Sequence, residues 1–222
     1  AKGIRKYGFH GLSYEYIARR LKEISPHLAG RRAIVAHLGN GASLCALRDG
    51  KSLDTTMGFS ALDGLVMGTR SGAIDPGVLL YLLKEEGLSP KALEDLLYHK
   101  SGLLGVSGLS GDMRELLASA EPRAKQAVEL FAFRAAREAA AMANTLGGLE
   151  LLVFTGGIGE HAAPVRAMIA ERLGWLGVIL EAAANDAGAE RIDTPQSRVE
   201  VRVIPTNEEL TIARHVARLI GE

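Results

Sequence analysis

The chain has 222 residues, of which 47% are hydrophobic, and this is enough apolar material to fill the core of one large domain. Its 26 Lys and Arg residues are balanced by 26 Asp and Glu residues, so the chain has no basic excess with which to neutralise a nucleic-acid backbone. We therefore expect a soluble globular protein that does not bind nucleic acid.

The sequence also bears on the compartment. The longest apolar stretches, such as residues 149–154, are far shorter than the roughly 20 residues that a membrane-spanning helix needs. The opening residues do not show the charged and apolar regions of a secretory signal. Cys45 is the single cysteine, so no internal disulfide is possible, which suits a reducing compartment. We expect a cytoplasmic protein with no membrane partner.

The first quarter of the chain predicts a helix followed by an antiparallel sheet. Apolar residues recur at helical spacing within residues 12–24. Residues 32–38 and 42–47 are apolar runs, and the glycines of the intervening Gly-Asn-Gly supply the conformations that a tight hairpin turn needs. A second turn leads into a strand over residues 52–56, so three antiparallel strands are expected.

The remainder predicts helices alternating with two further strands. Ala, Leu, Glu and Arg favour helix over residues 77–86, 90–100 and 123–146, and the last of these helices is apolar on most faces, which predicts burial. Strands are expected over residues 149–154 and 199–204, with helices over residues 163–173 and 208–220. No repeat or low-complexity linker interrupts this order, so we predict one continuous α/β domain with a mixed sheet.

The first hairpin is a candidate phosphate site. His37, Gly39, Asn40 and Gly41 lie at or beside its turn, where glycines let backbone N–H groups approach an anion without a Cβ in the way. Asn-Gly is also the commonest pair in two-residue hairpin turns, and a single histidine at a strand end is more often a packed core residue than a catalytic group. Both interpretations stay open on these residues alone.

A glycine run after the predicted strand 149–154 is a second candidate. Gly156, Gly157, Ile158 and Gly159 lack the full spacing of the dinucleotide fingerprint. Three glycines between a strand and a helix still suit a flat ligand such as adenosine, whose phosphates would point to the helix N-terminus. A simple packing turn is the alternative.

Two charged residues are further candidates. Arg70 lies between glycines in a loop, where its guanidinium could bind carboxylate or phosphate oxygens in a bidentate manner, although an ordinary surface arginine would look the same. Glu208 opens the last predicted helix, where acidic residues are favoured by the helix dipole. A carboxylate there could equally bind Mg²⁺ through one oxygen and waters.

Seven motifs, taken together and in order, resemble the acetate kinase family over essentially the whole chain. They are YGFHG from residue 7, HLGNGAS from 37, DTTMGF from 54, MGTRSG from 67, GVSGLSGDMR from 105, FTGGIGE from 154 and PTNEEL from 205. The resemblance implies a phosphotransferase that moves the γ-phosphoryl of ATP to and from acetate. It also implies a ribonuclease-H-like or actin-like ATPase lobe, with a mixed sheet flanked by helices.

The resemblance assigns roles to individual positions. His10 and Arg70 would stabilise the phosphoryl group in flight, and Phe9 would touch the methyl group of the carboxylate substrate. Glu208 would be the ligand of Mg²⁺, which accompanies ATP or ADP. The remaining positions would bind the nucleotide and its phosphates: His37, Gly39, Asn40, Gly41, Asp112, Met113, Arg114, Gly156, Gly157, Ile158 and Gly159.

Departures from the family pattern leave alternatives open. Ala61 stands where the family commonly has a proline that helps to close the acyl pocket, so propionate or another short-chain acid is an alternative substrate. The family often has asparagine at the position of His161. The family's first lobe does not precede Ala1, so we expect residues 1–222 to be the C-terminal, nucleotide-binding lobe of a homodimeric enzyme. A nucleotide-binding or dimerisation fragment without catalysis of its own is the other reading.

Overall fold

The computed structural model describes residues 2–24 and 26–221, and a five-stranded mixed sheet organises them. In chain order the strands are β1 (Ala33–Leu38), β2 (Ala42–Arg48), β3 (Lys51–Thr55), β4 (Leu151–Thr155) and β5 (Glu200–Val203). Their order across the sheet is β3-β2-β1-β4-β5. The first three strands pair antiparallel, as predicted, while β4 pairs parallel with β1, and β5 pairs parallel with β4.

Eleven α-helices within the described residues surround the sheet. They are α1 (Gly11–Ile24), α2 (Pro26–Ala29), α3 (Pro76–Lys84), α4 (Pro90–His99), α5 (Gly102–Ser107), α6 (Met113–Ala118), α7 (Pro122–Leu146), α8 (Gly156–His161), α9 (Ala163–Arg172), α10 (Ala182–Asp186) and α11 (Glu208–Ile220). Every strand and helix predicted from the sequence is present, with bounds that differ by a few residues. The class prediction of an α/β domain with a mixed sheet is confirmed.

Both faces of the sheet are covered, which explains the continuous apolar runs in its central strands. Alternate side chains of β1 point to opposite faces: Ile34 belongs to the core cluster that contains α7, and Val35 to the cluster that contains α1. On the first face Phe131 of α7 is 1% exposed, and on the second Ile17 of α1 is fully buried.

The prediction for α7 is wrong in one respect. This helix of 25 residues is not apolar on most faces, since it buries one alanine-rich stripe and exposes charged residues such as Lys125 and Glu129 on the other side. Small side chains let the helix backbone approach the sheet closely. The high alanine content therefore reflects close packing within the domain and leaves only isolated exposed apolar side chains, such as Phe133.

Three short helices near the candidate motifs, namely α5, α6 and α8, were not predicted. The glycine run after β4 is no open turn, because α8 begins at Gly156 itself, and residues 112–114 open α6. Glycine favours turns over helices, so local propensity argued against α8. Contacts from outside the helix override it: the Arg166 guanidinium donates to the carbonyls of Gly159 and Glu160, and the Thr206 N–H donates to the Glu160 carboxylate at 3.2 Å.

None of the helices described here combines the length and the apolarity that crossing a membrane requires.

Candidate active site

The carboxyl ends of β1, β4 and β5 meet at one edge of the sheet, which is where ligands bind in open α/β sheets. Glu160 of α8 ties two of the segments that follow these strands. Its Oε1 accepts hydrogen bonds from the backbone N–H of Gly156 at 2.9 Å and from that of Thr206 at 3.2 Å. The loops after β4 and β5 are therefore fixed to each other although they are far apart in sequence.

A cavity of about 430 Å³ opens beside this edge. We call it the first cavity, and it is lined by Gly39, Asn40, Gly111, Asp112, Met113, Arg114, Leu117, Gly157, Ile158, His161 and Ala162. The structure thus brings together seven of the nucleotide-site residues proposed from three separate motifs. Four lining residues were missed, namely Gly111, Leu117, His161 and Ala162. Leu117 follows Met113 by one helical turn, so the helical period of α6 could have indicated it.

The polar rim of the first cavity is built on α6. The Asp112 carboxylate caps this helix by accepting a hydrogen bond from the Arg114 N–H at 2.8 Å, and it also pairs with the Arg114 guanidinium. These bonds lower the pKa of Asp112 to about 2. Both side chains are thus charged at neutral pH and stand beside the apolar side chains of Leu117 and Ile158, a combination that suits a flat polar ring with ribose hydroxyls.

The hairpin between β1 and β2 reaches the cavity through Asn40. The Gly68 N–H donates to the Asn40 carbonyl at 3.0 Å. A Cβ at Gly68 would lie 1.9 Å from Asn40 Oδ1 and 3.1 Å from the Gly111 carbonyl, so a larger residue at position 68 would displace the Asn40 side chain. Two motifs separated by almost thirty residues in the chain are therefore in direct contact.

Gly41, the next residue of the hairpin, lies against the two residues proposed for catalysis. A Cβ at Gly41 would be 3.0 Å from Arg70 Nη2 and 3.3 Å from His10 Nε2. The Arg70 guanidinium is oriented by a hydrogen bond from Nη1 to the Ala61 carbonyl at 3.0 Å. One side of the hairpin turn thus faces the first cavity, and the other faces an arginine and a histidine.

His10 is held in an uncommon conformation at the start of α1. Its φ is +59°, in the left-handed region that few non-glycine residues adopt, and its carbonyl accepts the Tyr14 N–H at 3.0 Å. The imidazole stacks on that of His37, with ring centroids 4.2 Å apart and planes inclined by 20°. Backbone strain of this kind occurs often at functional sites.

Both histidines are neutral at physiological pH. Burial, aided by the nearby Arg70 guanidinium, lowers the pKa of His10 to about 4. Burial, aided by the neighbouring His10, lowers the pKa of His37 to about 4. Each imidazole can therefore donate one N–H hydrogen bond without carrying a charge.

Four residues proposed for the nucleotide site lie outside the lining described for the first cavity: Gly41, which lies against Arg70 and His10, and also Gly156, Gly159 and His37. Gly156 and Gly159 are buried, and a Cβ at Gly156 would lie 2.8 Å from the Leu38 carbonyl. Their position is that of packing glycines between α8 and β1. His37 is 8% exposed and contributes to the site through its stack with His10.

Phe9 faces a different space. A second cavity, of about 380 Å³, is lined by Phe9 together with Tyr7, Gly8, Gly11, Tyr14, Glu15, Ala18, Cys45, Leu47, Gly50, Ser52 and Thr55. Phe9 is 39% exposed there.

Cys45 also lines the second cavity. Burial raises the pKa of the Cys45 thiol to about 11, so this cysteine is a weak nucleophile at neutral pH.

Glu208 begins α11 and is half-buried. Glu208 stands two residues after Thr206, whose N–H donates to Glu160, and it therefore directly follows the loop after β5. Within residues 2–24 and 26–221 no group of three or more His, Cys, Asp or Glu side chains is placed to hold a metal ion. A Mg²⁺ ion held by one carboxylate, waters and the phosphates of a nucleotide is compatible with this donor set.

Two solved structures share this fold. The acetate kinase of Porphyromonas gingivalis superposes with a TM-score of 0.92 at 39% identity, over 98% of this chain and 56% of that chain. A propionate kinase of Francisella tularensis superposes with a TM-score of 0.89 at 44% identity, over 95% of this chain and 55% of that chain. The fold is therefore that of these kinases, an actin-like ATPase fold.

The sequence itself gives the family. A sequence model of the Acetokinase family matches residues 1–214, so the chain belongs to this family. Acetate kinases of Rhodopseudomonas palustris and Nitrobacter hamburgensis are 58% and 54% identical to it, over 98% and 99% of this chain and over 56% and 54% of their own lengths. The chain thus spans about half the length of the curated relatives it matches.

Proposed function

We propose that this chain is the C-terminal, nucleotide-binding lobe of an enzyme that transfers the γ-phosphoryl group between ATP and acetate. One observation carries the proposal. Asn40 lines the first cavity, while the adjacent Gly41 lies against Arg70 and His10. A nucleotide whose base occupies the first cavity would pass the hairpin turn and present its terminal phosphate to the arginine and the histidine.

The residues around Gly41 suit phosphoryl transfer, which mainly requires positioning and electrostatic stabilisation of charge on the phosphoryl oxygens. Arg70 supplies a permanent positive charge and paired N–H donors. His10 adds a neutral donor on the same side of the hairpin. The backbone of Gly39 and Gly41 is free of a Cβ, so the phosphates can approach the turn closely.

We propose Mg²⁺ as the accompanying metal, with Glu208 as its protein ligand. When bound, the ion supplies neutralisation of phosphate charge. The position of Glu208 at the N-terminus of α11 supports this role only in part, since the helix dipole favours a carboxylate there in any case.

Propionate is a second candidate substrate. Ala61 is the residue whose carbonyl orients Arg70, so a change at this position lies next to the proposed transfer site. The Francisella tularensis structure that shares this fold is described as a propionate kinase. Relative rates on acetate, propionate and butyrate would separate the two candidates.

We further propose a homodimer in the cytoplasm. The burial expected for α7 is met by packing within the domain, so this helix is not the surface that we propose for the dimer contact. Helix α3 is a better supported surface for the contact. All of its residues are described and none of them is buried. Its apolar residues Val78, Leu80 and Tyr81 are 42%, 53% and 53% exposed. Light scattering of the wild type and of Leu80→Glu would test it, with loss of the dimer expected in the variant.

A chimera tests the activity directly. The segment of the Rhodopseudomonas palustris acetate kinase that matches this chain would be replaced by residues 1–222, and acetyl phosphate formation would be measured with acetate, ATP and Mg²⁺. We expect activity close to that of the parent enzyme. An inactive, folded chimera would contradict the proposed transfer function.

Nucleotide binding is tested on the chain alone. Calorimetric titration with ADP and Mg²⁺ should show one site, and Leu117→Asp, which places a charge in the first cavity, should abolish it. Glu115→Gln, on the same helix but outside the cavity lining, is the matched control. Binding that survives Leu117→Asp would place the nucleotide elsewhere. We expect the chain alone to bind nucleotide and to show no measurable turnover.

A further inference from the structure

Two pairs of hydroxyl groups stand behind the stacked histidines. The Thr206 hydroxyl donates to Ser13 Oγ at 2.9 Å, and Ser13 Oγ is 2.9 Å from His37 Nδ1. The Tyr14 hydroxyl is hydrogen-bonded to Ser43 Oγ, which is 2.8 Å from His10 Nδ1. Nδ1 of each imidazole is therefore hydrogen-bonded to a serine hydroxyl, which is itself hydrogen-bonded to a second hydroxyl.

Counting protons gives the tautomer of His37. Ser13 accepts the proton of Thr206 and has one proton of its own to donate. Ser13 is fully buried, and among the described residues the only other hydrogen-bond partner of its Oγ is His37 Nδ1, so the Ser13 proton is satisfied only if Nδ1 accepts it. A neutral imidazole that accepts at Nδ1 carries its hydrogen on Nε2.

The same count applies to His10. Tyr14 is buried, and burial raises the pKa of its phenol, so the hydroxyl keeps its proton and can donate it to Ser43. The hydrogen bond between the two hydroxyls admits either as the donor. With Tyr14 as the donor, Ser43 gives its own proton to His10 Nδ1, and the hydrogen of His10 is on Nε2. That atom is the one that lies beside Gly41, on the same side as Arg70 Nη2.

We propose that Thr206 with Ser13, and Tyr14 with Ser43, are positioning pairs that fix both neutral imidazoles with Nε2–H as the donor, so that an anion beside Gly41 meets the Nε2–H of His10 and no nitrogen lone pair. The identity of the anion as a transferred phosphoryl group rests on the proposed function. The assignment of the two tautomers does not depend on it.

The arrangement has a clear physical advantage. Two protonated imidazoles 4.2 Å apart would repel each other and would both be costly to bury, whereas two neutral ones are not. In the opposite tautomer, Nε2 would present a lone pair to the oxygens of an anion and would repel them. The hydroxyl pairs thus supply donors at neutral pH without adding charge.

The four positioning residues come from separate parts of the fold. Ser13 and Tyr14 are neighbours on α1, Ser43 is on β2, and Thr206 follows β5. Ser13 and Thr206 are 193 positions apart in the sequence. The docking of α1 over the strand ends therefore determines the state of both histidines.

Long-range ¹H–¹⁵N spectra of the chain labelled with ¹⁵N-histidine, recorded at pH 7, test the proposal without any need for activity. We expect both rings as the Nε2–H tautomer. Thr206→Val should move His37 toward the Nδ1–H form and leave His10 unchanged, whereas Tyr14→Phe should do the reverse. Thr206→Ser keeps the hydroxyl and should retain the wild-type spectrum, with the exposed His99 as an internal reference.

The wild-type spectrum alone can overturn the proposal, even where a variant does not fold: an Nδ1–H tautomer at either ring would do so. Titration with inorganic phosphate gives a second readout. Tyr14→Phe should weaken phosphate binding about 2- to 10-fold, the effect of one neutral hydrogen bond. Correct tautomers in a chain whose chimera is inactive would refute the transfer function and leave this inference standing.

Discussion

His10 stacks on His37 with a ring separation of 4.2 Å, and both rings have a pKa lowered to about 4. Unfolding returns each to its ordinary value of about 6.5. Below that value the unfolded chain binds more protons than the folded one, so stability is fully present above pH 6.5 and falls as the pH drops toward 4.

We expect the free energy of unfolding to decrease between pH 7 and pH 5 by about 1 kcal/mol per ring, since shifts of this size give at most about 2 kcal/mol over this range and partial exposure reduces it. Urea titrations across this range measure it. In His10→Gln the slope should fall by half or more, because one ring is lost and His37 is relieved of its neighbour. Equal slopes in the wild type and the variant would contradict the assignment of the pH dependence to this pair.

Arg70→Ala in the chimera should lower kcat by about 10³, because a guanidinium on the transferring group acts chiefly in the transition state. Arg114→Ala is the contrasting variant, since Arg114 stands at the rim of the first cavity and should affect the KM for nucleotide more than kcat. Steady-state kinetics separates the two effects. A kcat within a few-fold of wild type in Arg70→Ala would show that Arg70 does not contact the transferred group.

Gly41→Ala should lower kcat of the chimera by about 10²-fold, since the new methyl group would push the Arg70 guanidinium and the His10 ring out of position. Stability should change little, because Gly41 does not have a positive φ. Gly174→Ala is the control, because the added Cβ would have no described atom within 4 Å outside its own stretch of chain. Equal activity of the two variants would mean that the hairpin does not position the catalytic pair.

Glu208→Gln should raise the Mg²⁺ concentration needed for half-maximal activity, if its carboxylate binds the ion. Glu209→Gln is a matched control, since both residues lie in the first turn of α11 and interact alike with the helix dipole. Activity measured against Mg²⁺ distinguishes the two roles. If both variants lose stability and neither changes its metal dependence, Glu208 serves the helix only.

Arg166→Met should lower the free energy of unfolding by about 3 kcal/mol. The Arg166 side chain is 1% exposed and donates to the carbonyls of Gly159 and Glu160 at 3.0 Å and 2.8 Å, and to Asn185 Oδ1 at 2.8 Å. Arg172→Met, on the exposed side of the same helix, should change stability by at most about 0.5 kcal/mol. Urea denaturation compares the free energies of unfolding of the two variants. A similar decrease in both would contradict the stabilising role of the buried Arg166 hydrogen bonds.

The sequence by itself determined the parts of this protein whose physics is local. Apolar runs, their periods and the Gly-Asn-Gly turn predict the strands, the hairpin and the long helices, because burial and backbone conformation leave a signal within a few residues. The order of seven motifs determined the family. Short glycine-rich helices such as α8 were not predicted, since their propensity is unfavourable and contacts from residues outside the helix stabilise them.

Only the tertiary structure decided how the candidate residues combine. Asn40 meets Gly68, and Thr206 meets Ser13, because the order β1-β4-β5 brings the strand ends to one edge and α1 docks beside it. The tertiary structure also places Phe9 in the second cavity, apart from the residues that line the first cavity. No local pattern encodes such contacts, since each depends on the packing of elements distant in sequence, and that packing also fixes which ring nitrogen of His37 accepts.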